Sequence, residues 1–273
     1  MNVLTALGVA AVALGMLWAG QSIVLKLVGE PLAWPLRFTT RKPVVRFTSR
    51  VMIHVSWLVI LVGTPLALGI PPLDALRQAF PLPVPWRDIA VAFSIMFFPS
   101  SIIYALYIQA GWARIEPQHD RVIRHAKLLR RFLGPVPLAT LEEGVFRGIL
   151  LEQLLRSFPR SHAYTALAIG LSSAAFSAVH FIKRSYPGKP VWQPAYGLFI
   201  IGCLFGLAYV IGGRSLWLPI VMHAAAIFVA EVMRLYVVFL GPSWLIGYSE
   251  FPQSGLVGSI FVLCVGIALV VLI

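Results

Sequence analysis

The chain has 273 residues, of which 59% are apolar and only 12% are charged, and its mean hydropathy is +0.86. This composition excludes a soluble globular domain, a disordered chain and a disulfide scaffold. The net charge of +12 does not indicate a nucleic-acid partner, because the basic residues flank apolar stretches rather than forming one patch. We therefore predict an integral membrane protein.

The apolar stretches are spread from one end of the chain to the other. Each has the roughly 20 residues that a helix needs to cross hydrocarbon, and they are 1–25, 51–73, 89–113, 161–182, 190–213 and 251–273. We interpret 1–25 as a retained span, since its apolar run is longer than that of a cleaved signal. With two further spans at 138–157 and 216–240, the predicted fold is an all-α integral membrane protein. It would be one domain over residues 1–273, a polytopic bundle of about eight transmembrane helices.

The distribution of Lys and Arg predicts the orientation. Loops 26–50, 114–137 and 183–189 lie on one side of the predicted bundle and hold 15 of the 22 basic residues. The positive-inside rule makes that side cytoplasmic and both termini non-cytoplasmic, in a multi-pass protein of the cell membrane. Segment 121–133 is predicted to be a basic amphipathic helix attracted to anionic lipid at this surface.

Two predicted spans contain charged residues, namely Glu142, Glu143, Arg147 and Glu152 in one, and Glu231 and Arg234 in the other. A charge near the bilayer centre costs about 2.5–3.5 kcal/mol, so these side chains are expected to be paired or functional. Glu143 and Arg147 are four residues apart on a helix and can pair, while Glu142 projects about 100° away. Glu231 and Arg234 are expected to form a structural pair.

Two histidines accompany these charges. Phe176 and His180 share one helix face at a spacing of four, and His223 follows the apolar stretch Leu216-Trp217-Leu218-Pro219-Ile220. An imidazole among apolar residues needs a polar partner.

In this order the three groups resemble the motifs of the CPBP family of intramembrane proteases, also called the CAAX-protease and bacteriocin-processing or ABI family. Its Glu-Glu-x-x-x-Arg motif is matched by Glu142, Glu143 and Arg147, and its Phe-x-x-x-His motif by Phe176 and His180. Its third motif, His-x-x-x-Asn or Asp, is matched by His223, but Ile227 stands at the fourth place. The resemblance implies a catalytic core at about 138–240.

The resemblance implies an endopeptidase that hydrolyses a peptide bond of a membrane-associated or lipidated protein or peptide. Its catalytic residues would be Glu142, Glu143, Arg147, His180 and His223. Glu142 would be the general base with His180 as its partner, and His223 would stabilise the oxyanion without its usual companion. Ser177, Tyr196 or a backbone amide near Pro219 would be a substitute donor.

The cofactor remains open at this point. Glu142, His180 and His223 could act without a cofactor, or they could hold a divalent metal such as zinc with water in the open place. In either case the three side chains must converge on one cavity. The predicted boundaries place His223 about 10 Å from the opposite membrane face, so convergence requires broken or shortened helices.

The same residues allow other functions. The site-2 signature His-Glu-x-x-His is absent, the aspartates lie in loops, and a rhomboid-like serine at Ser172 rests on a short match. The remaining alternatives are a non-catalytic scaffold or substrate-holding protein of the same fold, and a transporter in which Glu231 and Arg234 would matter more than Glu142. The expected partners are the lipid bilayer and a membrane-anchored substrate.

Overall fold

The computed structural model describes residues 2–30, 43–117, 121–183, 192–249 and 251–273. The helices are α1 (Asn2–Leu27), α2 (Pro43–Ala67), α3 (Pro72–Ala79), α4 (Trp86–Gln109), α5 (Arg121–Leu133), α6 (Pro135–Glu143), α7 (Glu152–Ser157), α8 (His162–Lys183), α9 (Trp192–Ile211), α10 (Trp217–Met233), α11 (Ser243–Ile246) and α12 (Leu256–Leu272). A π-helical stretch, Gly144–Leu151, joins α6 to α7, and a 3₁₀ turn, Pro252–Ser254, precedes α12. The all-α class is confirmed.

Several helices are long and apolar enough to cross a membrane. Four meet this requirement in the described part of the chain, namely α1, α4, α8 and α9, and the bent pair α2–α3 makes a fifth if it is one span. The apolar helices α10 and α12 are shorter, with 17 residues each. The chain is therefore a multi-pass membrane protein, while the number of eight spans stays a prediction.

The predicted span 51–73 does not continue as one helix. Helix α2 ends at Ala67, and α3 runs at 108° to it from Pro72. Gly69 adopts a positive φ of 72°, a conformation that glycine tolerates without a Cβ clash. Pro71 and Pro72 follow, and proline at the first helical position fits the start of a new helix.

The predicted spans 89–113 and 216–240 are both too long. Helix α4 ends at Gln109 and α10 at Met233, and each is followed by a three-residue strand. These strands, β1 (Ala113–Ile115) and β2 (Val237–Phe239), pair antiparallel. The sequence Val-Val-Phe suits a strand, and the pairing satisfies backbone groups that have left their helices.

Helix α9 lies at the centre of the bundle, in contact with α8, α10 and α12. It is apolar on all sides and is the most buried of the four long apolar helices in the described part of the chain. A Cβ on Gly206 would lie 2.9 Å from Ile169 Cγ2, so glycine permits α8 to approach closely. This close packing brings the Gly202 carbonyl beside the π-helical stretch.

Parts of the predicted cytoplasmic loops lie outside the described residues, namely 31–42, 118–120 and 184–191. The assignment of loops 26–50, 114–137 and 183–189 to the cytoplasm stays a prediction. The predicted helix at 121–133 is confirmed as α5. Its Leu129, Phe132 and Leu133 are exposed, as an apolar face against lipid requires.

Candidate active site

Glu142, His180 and His223 lie on the wall of one cavity of about 430 Å³. Their convergence follows from the true end of α10. Helix α10 ends at Met233, at the same end of the bundle as the start of α6 at Pro135. His223 is ten residues from this end along α10, and Glu142 is seven residues from it along α6. At 1.5 Å per residue the two depths differ by about 5 Å, which is within reach of side chains.

Arg147 pairs with Glu143, as the spacing of four predicts. Its Nη1 lies 3.1 Å from Glu143 Oε1, and both side chains are fully buried. Arg147 Nη2 donates a hydrogen bond of 2.7 Å to the Gly202 carbonyl, and the guanidinium stands 4.9 Å from the centre of the Phe176 ring. The arginine is therefore held on three sides, and its charge is balanced by Glu143 rather than Glu142.

His223 also binds Glu143, which the sequence did not predict. Its Nδ1 lies 2.6 Å from Glu143 Oε1, and its ring stacks on Phe205 with the centres 4.7 Å apart. A carboxylate only accepts hydrogen bonds, so Nδ1 carries a proton and Nε2 faces the cavity. Nε2 lies 3.8 Å from Glu142 Oε2.

His180 is fixed by its own helix. Its Nδ1 lies 2.8 Å from the Phe176 carbonyl oxygen, and the two rings meet edge to face at 4.7 Å. A carbonyl oxygen accepts, so Nδ1 again donates.

Glu142 is 7% exposed and lines the cavity. The pairing of Glu143 with Arg147 and His223 leaves Glu142 as the carboxylate that can act on a molecule in the cavity. The structure thus separates the roles of two adjacent glutamates.

Ile227 lines the same cavity, where the family motif has Asn or Asp. Two of the predicted substitute donors, Ser177 and Tyr196, are not among the residues that line this cavity. Ser177 donates its hydroxyl to the Ala195 carbonyl at 2.8 Å, and Tyr196 lines a different cavity. Gln253, in the 3₁₀ turn before α12, does line the site cavity and offers an amide. Sequence reasoning missed it, because no motif marks a lone glutamine.

Among the residues that the structure describes, no group of three or more His, Cys, Asp or Glu side chains is arranged to hold a metal ion. The Nδ1 of each imidazole is bonded, that of His223 to Glu143 and that of His180 to a backbone carbonyl, which is also how metal-binding histidines are held. The zinc set Glu142, His180 and His223 stays a prediction, and no step below uses a metal.

Glu231 and Arg234 pair at 2.6 Å, as expected from their spacing, and both line the cavity. Arg131 of α5 joins them, with Nε 3.1 Å from Glu231 Oε2. Burial lowers the pKa of the Arg131 guanidinium, and the Glu231 carboxylate opposes that shift. One carboxylate between two guanidiniums fastens α5 to α10.

Ser172, the rhomboid-like alternative, donates its hydroxyl to the Phe146 carbonyl at 2.8 Å and is buried. This bond joins α8 to the π-helical stretch. Such a contact indicates a structural serine rather than a nucleophile.

The charged motif Glu142–Arg147 and both histidines lie within one segment of the chain. Residues 126–229 match the family model for Type II CAAX prenyl endopeptidase Rce1-like proteins. This segment is therefore Rce1-like, and the resemblance to CAAX proteases is confirmed. No curated protein and no solved structure matches the chain.

Proposed function

We propose that the chain is an intramembrane endopeptidase whose substrate is a membrane-anchored or lipidated protein or peptide. The family name points to a prenylated substrate. The observation that carries the proposal is the position of Glu142. It lines the cavity beside His180 and His223, while Glu143 is engaged with Arg147 and His223.

Glu142 acts as the general base. It accepts a proton from a water molecule while the water oxygen attacks the carbonyl carbon of the scissile bond. The C–N bond then breaks, and the proton held by Glu142 passes to the leaving amine. Glu142 ends in its starting state, so the atoms and charges balance over the cycle.

His180 positions the water. With its Nδ1 proton donated to the Phe176 carbonyl, Nε2 can accept a hydrogen bond from the water and fix its direction beside Glu142. His180 is therefore a partner of the base rather than a second base.

His223 stabilises the oxyanion. To donate from Nε2 as well as Nδ1, the imidazole must carry both protons when the oxyanion forms, and the contact of Nδ1 with Glu143 at 2.6 Å orients the ring. Glu143 thus orients His223, while Arg147 holds Glu143. Gln253 supplies a second donor from the cavity wall, where Ile227 cannot.

A non-catalytic scaffold is the alternative, and the observation that favours it is the apolar side chain of Ile227 in the cavity wall. A transporter centred on Glu231 is weaker. Its carboxylate is held by both Arg131 and Arg234, which fits a structural role.

The test is peptide cleavage by the purified full chain in proteoliposomes. The substrate is a fluorogenic peptide with a prenylated cysteine, compared with the same peptide lacking the prenyl group. Glu142→Gln should lower kcat about 100-fold or more, because an amide cannot accept the proton. Glu116→Gln is the matched control, since this half-exposed carboxylate pairs with Arg114 away from the cavity.

Cleavage by the wild type and by Glu116→Gln, lost in Glu142→Gln at normal abundance, supports the proposal. Equal cleavage by all three proteins would refute the role of Glu142. No cleavage by any of them, together with retained binding of the prenylated peptide, would favour the scaffold.

A further inference from the structure

A second cavity, of about 500 Å³, lies at the opposite end of the bundle from the site. The ends of α2, α3 and α9 and the region around α7 form its wall. It shares no lining residue with the first cavity among the residues that the structure describes. The proposed hydrolysis therefore makes no use of it.

The charges in this cavity do not cancel. Glu152 receives Arg156 Nε at 2.6 Å, Arg214 Nη1 at 3.5 Å and the Tyr209 hydroxyl at 3.0 Å. One carboxylate thus faces two guanidiniums, so the group carries a net charge of one positive unit. The Arg156 and Arg214 side chains are 42% and 46% exposed, which leaves guanidinium nitrogens accessible to an anion.

Two buried polar atoms in the same wall have no hydrogen-bond partner among the described residues, Thr64 Oγ1 and Gln153 Oε1. Thr64 is 1% exposed and Gln153 is 5% exposed. A buried polar atom without a partner is costly, and most such atoms in native proteins bind water or a ligand. The Thr64 hydroxyl can donate a hydrogen bond into the cavity, and Gln153 Oε1 can accept one.

We propose that this cavity binds a phosphate ester that also carries a hydroxyl group. Arg156, Arg214 and the Thr64 hydroxyl would hold the phosphate oxygens, and the ligand hydroxyl would donate to Gln153 Oε1. The cavity lies where helices end, so this chemistry is available from the headgroup of an anionic glycerol lipid or from a soluble glycerol phosphate. Glu152 keeps the two arginines in place.

The experiment uses the purified full chain in nanodiscs and has two arms. In the soluble arm, phosphatidylcholine nanodiscs are titrated with glycerol 3-phosphate and the Kd is measured by calorimetry. In the lipid arm, phosphatidylglycerol replaces part of the phosphatidylcholine and the rise in Tm is measured. Binding in the soluble arm identifies a free phosphate ester, and a rise in Tm confined to the lipid arm identifies a headgroup.

Thr64→Val is the decisive variant, because it removes an unpartnered hydroxyl and keeps the side-chain shape. The variant should leave the Tm of the unliganded protein unchanged or raise it. In the soluble arm it should weaken binding of glycerol 3-phosphate about tenfold, and in the lipid arm it should abolish the rise in Tm that phosphatidylglycerol causes. Arg214→Asn should have a similar effect, since Asn tolerates the positive φ of 64° at this position.

Arg87→Gln is the matched control, an arginine whose side chain is 81% exposed and lies outside the cavity. It should bind as the wild type does. Failure of the wild type to bind in both arms would overturn the proposal. Equal weakening of binding by Arg87→Gln and Thr64→Val would also overturn it, because it would show general attraction of the anion to the basic surface. None of these readouts depends on peptide cleavage.

Discussion

Replacing Arg147 with methionine should destabilise the protein more than any change to an exposed arginine. Methionine keeps much of the length of the side chain but removes the charge that balances Glu143, and both residues are fully buried. Breaking a buried ion pair by removing one partner costs about 3–5 kcal/mol. The Gly202 carbonyl also loses the hydrogen bond that Arg147 donates at 2.7 Å.

The assay is thermal unfolding in one detergent at one scan rate, followed by tryptophan fluorescence. A loss of 3 kcal/mol corresponds to a fall in Tm of roughly 6 °C or more for a chain of this size. Arg77→Met is the control, because Arg77 pairs with Asp74 at 3.5 Å on the surface and such pairs contribute about 0–1 kcal/mol.

A double variant sharpens the test. In Glu143→Gln with Arg147→Met the buried charge is gone, so the combined loss should fall short of the sum of the single losses by about 1 kcal/mol or more. Two results would refute the account of Arg147 as the counterion of a buried carboxylate. One is that the losses of unfolding free energy in the two single variants add up to the loss in the double variant. The other is that the Tm of Arg147→Met is no lower than that of Arg77→Met.

Three further predictions follow from the site and the fold. Ile227→Asn should leave peptide cleavage unchanged or raise it, and a large fall in kcat with a normal Tm would contradict an open donor position beside His223. Glu231→Gln should lower the Tm, because the variant loses two ion pairs. Its kcat at a permissive temperature should stay within about threefold of the wild-type value, and a fall in kcat without a fall in Tm would assign Glu231 a catalytic role. A cysteine at position 127, in a variant lacking Cys203 and Cys264, should be protected from an impermeant thiol reagent on intact cells, and labelling there would invert the predicted orientation.

The sequence predicts those features that depend on neighbours along one helix. The amphipathic and basic pattern of 121–133 predicts α5 with its observed bounds, and the spacing of four predicts the Glu143–Arg147 pair. Hydropathy, by contrast, does not detect backbone turns inside an apolar run. It therefore missed the bend after Ala67 and the end of α10 at Met233.

The remaining site contacts depend on which helices meet and at what depth. His223 bonds to Glu143 across 80 residues of sequence, and Arg131 meets Glu231 across 100. Neither spacing carries a periodic signal. The depth of His223 follows only when α10 is known to end at Met233, because the longer predicted helix 216–240 places the imidazole too far from Glu142.

The bond between His223 and Glu143 bears directly on the departure at position 227. In the resemblance, the residue four places after His223 is a second polar group at the oxyanion. Ile227 cannot serve there, so in the proposed mechanism His223 and Gln253 bind the oxyanion. Glu143, 2.6 Å from His223 Nδ1 and fully buried, fixes the direction of the imidazole in a medium of low polarity, where a hydrogen bond is stronger than in water. Loss of one oxyanion donor costs about 2.7–4 kcal/mol, and in the proposed mechanism Gln253 offsets that loss. On the same proposal isoleucine at 227 is compatible with activity, because the second glutamate of the first motif orients the histidine of the third.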